Sequence, residues 1–469
     1  MIKKNSYLTS DLLLENSYAK SLYHDFASNL PIIDYHNHIN IGHLSENHMF
    51  SDIAELWVLN DPYKHRAMRI NGIDEGMITG NATNWDKFYS WAATHPKTIG
   101  NPLYHWSTNE LNHVFNVEDP LNEESALRIW KQCNSKLEDD KFSACSILRK
   151  WNIEGLCTSD DWLTDLSLHN TASNQCSLPI IPSLRADSLM DFNSSNYQIF
   201  LNVLARLTGV SIVDLESLEQ ALEKRIKYFS ECGSRLSDHA LDSGFSYKPI
   251  LKKEAESLFK QVKQHQKLNA DEIIKLRSYL LAFLGKLYGK MGWVMQLHIG
   301  ALRTTSSRLR DLSGNTGGYA AIGNSCNMES LSSFLDELER EGYLPDVILY
   351  TLNPSDNESF GTLTGSFSED GKEGKIQFGP AWWYNDHAWG IENHLTVVSN
   401  YSLLFHFIGM TTDSRSLLSF SRHDYFRRIL CNLIGKWIEK GHIPNDYELV
   451  SELITNICYA NSKKRFFNE

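Results

Sequence analysis

His36 and His38 stand one residue apart, just beyond the apolar run Leu30–Ile33. In an extended strand, residues i and i+2 face one side, so two imidazoles at this spacing can hold one metal ion. Far along the chain, Asp413 follows another apolar run, Phe405–Met410, and its carboxylate could complete the ligand set. Arg415 shares a face with Asp413 if the chain stays extended there. An aspartate beside a metal and an arginine stays ionised, so it can ligate and also accept a proton. A His-x-His pair in a chain with 18 histidines is weak evidence alone, because hydrogen-bonded core histidines are commoner than ligands. Its weight depends on which residues the fold brings to it.

Eight strand-like runs recur, most of them ending in chemically capable residues. They are Leu30–Ile33, Ile153–Cys157, Pro179–Leu184, a weaker Ser234–Leu236, Trp293–Leu297, Val347–Leu352, Lys375–Phe378 and Phe405–Met410. Asp238 and His239 follow the fourth. Helical segments separate most of the runs, which predicts an α/β chain folded as a (β/α)8 TIM-type barrel. In that fold the C-terminal strand ends surround one mouth, so residues far apart in sequence meet. Arg185 would present a forked donor suited to a carboxylate or phosphate. Asn353 could supply a hydrogen bond, and Trp382 and Trp383 an apolar wall. His298 is a third imidazole for metal or substrate. Arg422 and His423 open a helix leaving the barrel and could still reach its mouth.

The first two runs are too far apart for one crossover. Ile53–Trp57, Trp85–Ala93 and Glu123–Gln132 read as helical, predicting a large insertion after the first strand over approximately 42–150. Tyr63 lies in it and could relay a proton. Further helices are expected in Tyr197–Phe229, Glu254–His265 and Asp271–Tyr288. No repeat or Pro/Gly-rich hinge splits the chain, so 1–469 reads as a single domain.

The composition, 42% hydrophobic and 22% charged, is that of a soluble globular protein. A net charge of -12 disfavours nucleic-acid or anionic-membrane partners, while local arginines could still bind an anionic substrate. Met1–Tyr7 leads into no secretory signal, and no run approaches a membrane span. Eight cysteines without C-x-x-C point to reduced thiols in a cytoplasm. Gly314–Gly318 reads as a turn, and no phosphate-binding glycine loop or serine-nucleophile motif occurs.

Asp34-Tyr35-His36-Asn37-His38, Gln296–Arg303, Gln377–Asp386 and Gly409–Ser419, together with Arg422–Arg428, resemble the uronate isomerase family, also called glucuronate isomerase, of the amidohydrolase superfamily. The resemblance covers nearly the whole chain. It implies a distorted (β/α)8 barrel with one divalent metal ion, zinc being the expected one. The implied reaction interconverts D-glucuronate with D-fructuronate and D-galacturonate with D-tagaturonate. By motif, His36, His38 and Asp413 would hold the metal, and Asp413 would take the C2 proton. Arg415 and Tyr63 would move a proton between the C1 and C2 oxygens of a cis-enediol. Arg185 would bind near the sugar acid, Trp382 or Trp383 would line the pocket, and His298 would contact metal or substrate. The implied partner is a small hexuronate, and homo-oligomers are common among such enzymes.

The sequence departs from the family pattern at Asn37, where cysteine is usual, and at Pro62 and His65, which replace a histidine and a tryptophan. Thr304-Thr305-Ser306, Ser313-Gly314-Asn315 and Tyr319-Ala320-Ala321 differ as well. Two other readings stand beside the isomerase. One is a metal-dependent hydrolase of a sugar-acid lactone, because the barrel and His-x-His are shared with hydrolases; the other, prompted by the departures around Pro62 and Ser313, is a catalytically inactive homologue that binds sugar acids.

Overall fold

Covered parallel strands bury side chains on both faces, and β1 (Ile32–Asn37) and β5 (Val294–Ile299) are buried at every position. Between them run β2 (Ile153–Asp161), β3 (Ile180–Arg185) and β4 (Leu236–Leu241). After β5 come a short antiparallel ribbon of β6 (Ala301–Leu302) and β7 (Ala321–Ile322), then β8 (Asp346–Thr351) and β9 (Ile376–Phe378). This computed structural model describes residues 9–314 and 317–467. Met1–Tyr7, and Asn315 and Thr316 of the Gly314–Gly318 turn, therefore lie outside the described residues.

The main sheet has seven parallel strands in the order β1-β2-β3-β4-β5-β8-β9. It curls into the α/β barrel form, with helices over its outer face. Between β1 and β2 the chain is helical, from Ile41–Ser45 through Ala144–Lys150. Tyr197–Phe229 is two helices, Tyr197–Thr208 and Leu215–Glu231, because Gly209 ends the first at φ 67°.

Two strand expectations need correction. The fourth strand begins at Leu236, where the weak run Ser234–Leu236 was expected to end, so Asp238 and His239 lie within β4. The eighth run, Phe405–Met410, is not a strand. Leu404–His406 makes a tight turn, and the chain then passes irregularly to Asp413. Gly409 at φ 82° and Asp413 at φ 48° break the extended path that a ladder requires.

The irregular segment nevertheless spans from β9 to β1. Ile408 N–H donates to the Gln377 side chain at 3.2 Å, Asp413 N–H to the His36 carbonyl at 3.0 Å, and His38 N–H to the Ser414 carbonyl at 2.8 Å. The buried Asp34 carboxylate accepts from the Thr411 hydroxyl at 2.5 Å and the Thr412 N–H at 3.2 Å. Burial works to raise the Asp34 carboxyl, but His423, Thr411 and Thr412 outweigh it and keep it ionised below its usual range.

The thiol expectation also needs correction, since Cys145 and Cys176 form a disulfide with Cα atoms 4.8 Å apart. The two residues are 31 apart in sequence and meet because their helices flank Leu44, a juxtaposition no local motif encodes. Among the described residues, no helix is long and apolar enough to cross a membrane.

Thr411→Val keeps the shape but removes a hydroxyl that also accepts the His36 N–H at 2.9 Å. Leaving such buried groups unpaired should lower unfolding stability by about 1–3 kcal/mol. Urea denaturation measures this; an unchanged midpoint would show that the Asp34 contact does not secure the segment.

Candidate metal centre and active site

β1 delivers His36, and the chain just past its end delivers His38. Their Nε2 atoms lie 3.3 and 3.0 Å from Asp413 Oδ1. Trp382 Nε1 donates to the other Asp413 oxygen at 2.9 Å, which fixes the carboxylate's rotation. Burial works to raise the Asp413 carboxyl, but the two imidazoles overcome it and hold it well below the usual range. Burial pushes His38 down to about 4, leaving the neutral, ligating form near pH 7. Two imidazoles and a carboxylate on one point suit a divalent metal.

A second cluster shares His36. Asp238, on β4, accepts from His298 Nδ1 at 2.8 Å and from Arg185 Nη1 at 3.2 Å. Burial opposes its ionisation, but Arg185, His36 and His298 hold it well below the usual carboxylate range. His36, Asp238 and His298 also offer atoms close enough to share an ion. The buried His36 Nδ1 and His298 Nε2 have no hydrogen-bond partner among the described residues, so the chemistry of this corner fits a metal. The His298 ring stacks on Tyr350 at 4.2 Å, which sets its plane.

The third part comes from the helical insertion. Asp61 caps helix Pro62–Ile70, accepting from Tyr63 N–H at 2.9 Å and Lys64 N–H at 3.2 Å. That aims Tyr63 at the barrel mouth. Its hydroxyl donates to Asp386 at 3.1 Å, and the Arg422 guanidinium lies 4.5 Å over its ring. Burial pushes the Asp386 carboxyl up to about 7, despite Arg422 and Tyr63. Burial and Asp386 raise the Tyr63 phenol well above its ordinary value, so it keeps its proton at neutral pH.

These groups surround a cavity of about 250 Å³. It brings together His36, His38, Tyr63, Arg185, His298, Trp382, Trp383, Asp413 and Arg415. Asn353 is not among its lining residues. Its side chain instead accepts from Ser355 N–H at 3.0 Å and donates to the Gly323 carbonyl at 3.1 Å, closing the turn after β8. Sequence reasoning missed Asp238 as a site residue because the apolar run seemed to end before it. It also missed Arg303, which the β6–β7 ribbon carries to the wall, and Asp386, whose only sequence signal was its place after the tryptophan pair. β4 carries no lysine, so the bridging group of a carbamylated two-metal site is missing from that strand.

Seven parallel strands with a histidine–aspartate centre at their C-terminal ends define an α/β-barrel enzyme whose site could hold a metal ion. The chain belongs to the glucuronate isomerase family, whose sequence model matches residues 4–467. It is 42% identical over 462 residues to the uronate isomerase of Geobacillus thermodenitrificans, covering 98% of this chain and 99% of that protein. It is 40% identical over 463 residues to that of Flavobacterium johnsoniae, covering 98% and 99%. The crystal structure of uronate isomerase from Thermotoga maritima superposes with a TM-score of 0.93 at 32% identity, covering 99% of this chain and 100% of that one. Glucuronate isomerase from Caulobacter crescentus shares the fold, with a TM-score of 0.91 at 22% identity, covering 98% and 96%.

Asp238→Asn should weaken divalent-metal affinity by about 10–100-fold, because it loosens the groups that orient the ligands. Metal titration of stripped protein reads this directly, and unchanged affinity would remove Asp238 from the centre. Asp386 carries a pH signature. A carboxyl raised on folding stabilises most below its unfolded value, and that contribution is lost as pH rises through the folded value. Relative to Asp386→Asn, the natural chain should lose up to about 4 kcal/mol of stability between about pH 4 and 7. Parallel urea melts across that window would show equal slopes if Asp386 titrated normally.

Proposed function

We propose that this chain is a uronate isomerase, interconverting D-glucuronate with D-fructuronate and D-galacturonate with D-tagaturonate. The observation that carries the reading is that Asp413, Arg415 and Tyr63 face one cavity beside a histidine pair, in a chain of this family. An aldose–ketose shift needs a base near C2, groups that handle protons at the C1 and C2 oxygens, and a clamp for the distant carboxylate.

Asp413 is ionised and rotationally fixed, as a proton acceptor must be. It takes the C2 proton, forming a cis-enediol, and returns a proton to C1. Tyr63, protonated and hydrogen-bonded to Asp386, moves a proton between the C1 and C2 oxygens with Arg415. Arg185, held by Asp187 at 2.8 Å and Asp238 at 3.2 Å, binds the sugar acid. Trp382 and Trp383 form the apolar wall, and His298 is a further metal or substrate contact. His36, His38 and Asp413 would hold one divalent ion, which would polarise a substrate oxygen. Two imidazoles and a carboxylate favour zinc over magnesium or calcium. The reading extends to a cytoplasmic place in hexuronate catabolism, with a small-molecule partner and neither nucleic acid nor membrane. A single domain over 1–469, with its insertion at about 42–150, completes the proposal.

Proton NMR of D-glucuronate and of D-galacturonate in heavy water, with metal-loaded protein, tests it. Ketose should form, and Asp413→Asn should slow its formation by at least about 100-fold. Absence of ketose from both sugars, with metal confirmed bound, would overturn the isomerase reading.

A further inference from the structure

A separate set of side chains lies just outside the mouth. His43 sits on the short helix Ile41–Ser45 that follows β1. The chain then reverses through Asn47, at φ 48°, and His48 N–H donates to the His43 carbonyl at 2.8 Å. This reversal stacks the two imidazoles at 4.6 Å with 14° between their planes. Phe50 closes one side, edge-on to both rings at 5.5 and 4.9 Å. Helix Ile53–Trp57 brings in Glu55, whose Oε1 lies 2.8 Å from His48 Nε2. Glu55 Oε2 accepts from the Ser51 N–H and hydroxyl, both at 2.7 Å, so the carboxylate is held in place.

A half-exposed His48–Glu55 ion pair alone would be unremarkable and contribute little. Two further observations set this one apart. His43 adds a second imidazole, so that three donor atoms, one from each residue, lie within 4.8 Å of one another. His43 and Glu55 line a cavity of about 240 Å³ that also takes in His38, Asp61 and Arg415, and His48 stacks on His43 beside it. Two imidazoles and one carboxylate form the donor set of an open three-ligand site, and imidazole selects late transition metals over magnesium or calcium.

We propose that His43, His48 and Glu55 form a second binding site for a late divalent transition metal such as Zn2+, distinct from the His36–His38–Asp413 centre. An ion there ties the helix after β1 to the next helix of the insertion. It thereby braces the wall shared with His38 and Arg415. Side-chain exposures of 30% for His48 and 26% for Glu55 leave solvent room to supply the remaining ligands.

The test is Zn2+ stoichiometry of the full chain, stripped with chelator and titrated against a chromophoric competitor. The natural chain should bind two equivalents. The variant His43→Gln with His48→Gln should bind one, and so should His36→Asn with His38→Asn, which separates the two sites. Should the first variant not fold, Glu55→Gln, which keeps the two imidazoles, should weaken one equivalent at least tenfold. A single equivalent in the natural chain, or the same number and affinity in the His43/His48 or Glu55 variants, overturns the proposal.

Discussion

The active centre depends on a buried carboxylate that lies behind the cavity wall and does not line it. Asp34 lies wholly inside the protein and accepts from the hydroxyls of Thr411 and Thr412 and from the Thr412 backbone. Those bonds draw the irregular last segment against β1, where a barrel would ordinarily use a strand ladder. The two histidines and Asp413 come from opposite ends of the chain and meet because of this seam. Buried carboxylates are expensive unless fully paired, so the seam is also specific, since few other arrangements would satisfy Asp34.

The mouth is organised as three carboxylates, each with its own cationic or hydrogen-donating partners. Asp413 has the histidine pair and Trp382, Asp238 has Arg185 and His298, and Asp386 has Tyr63 and Arg422. The environments push them apart: Asp413 and Asp238 go well below the ordinary range, while Asp386 rises to about 7. Such a spread separates groups that must stay ionised from one that can exchange a proton near neutrality. Two non-glycine residues of the cavity, Trp383 at φ 53° and Asp413 at φ 48°, hold left-handed backbone. That conformation is uphill for both side chains, and surrounding bonds such as Asp413 N–H to the His36 carbonyl maintain it.

Where the chemistry sat at the end of a strong apolar run, the sequence was legible. His36, His38, Arg185 and His298 followed runs whose strands formed close to the expected places. Asp238 was hidden because Ser237, Asp238 and His239 break the apolar pattern inside β4, although strand pairing with β5 continues through Leu241. The eighth run misled for the opposite reason. Its residues are apolar enough for a strand, but Gly409 and Asp413 turn the backbone, and Gln377 and Thr411 replace ladder bonds with side-chain bonds. Asn353 has a site-like address after β8 but is consumed by its own turn. Asp386 depends on Tyr63 arriving from a helix 323 residues earlier, a pairing no local pattern contains.

The departures around Tyr63 bear on whether the chain turns substrate over or merely holds it. Pro62 occupies the first position of its helix, where a missing N–H leaves nothing unpaired and the fixed φ suits the turn. Its carbonyl lies against Gly318, where φ is 79° and any Cβ would collide with it, so the proline and the ribbon loop fit together. His65 is buried, bonds the Val58 carbonyl at 3.0 Å, and is kept neutral by burial, which pushes it down to about 4. Lys64, between them, is clamped by Asp61 and lies 4.8 Å over the Trp57 ring. The substitutions are thus absorbed by caps and packing, and the Tyr63 hydroxyl remains on Asp386. Asp413, Arg415 and Tyr63 still line one cavity. The departures that reach the cavity wall are Pro62 and Ala320, so their expected effect is on the choice of hexuronate.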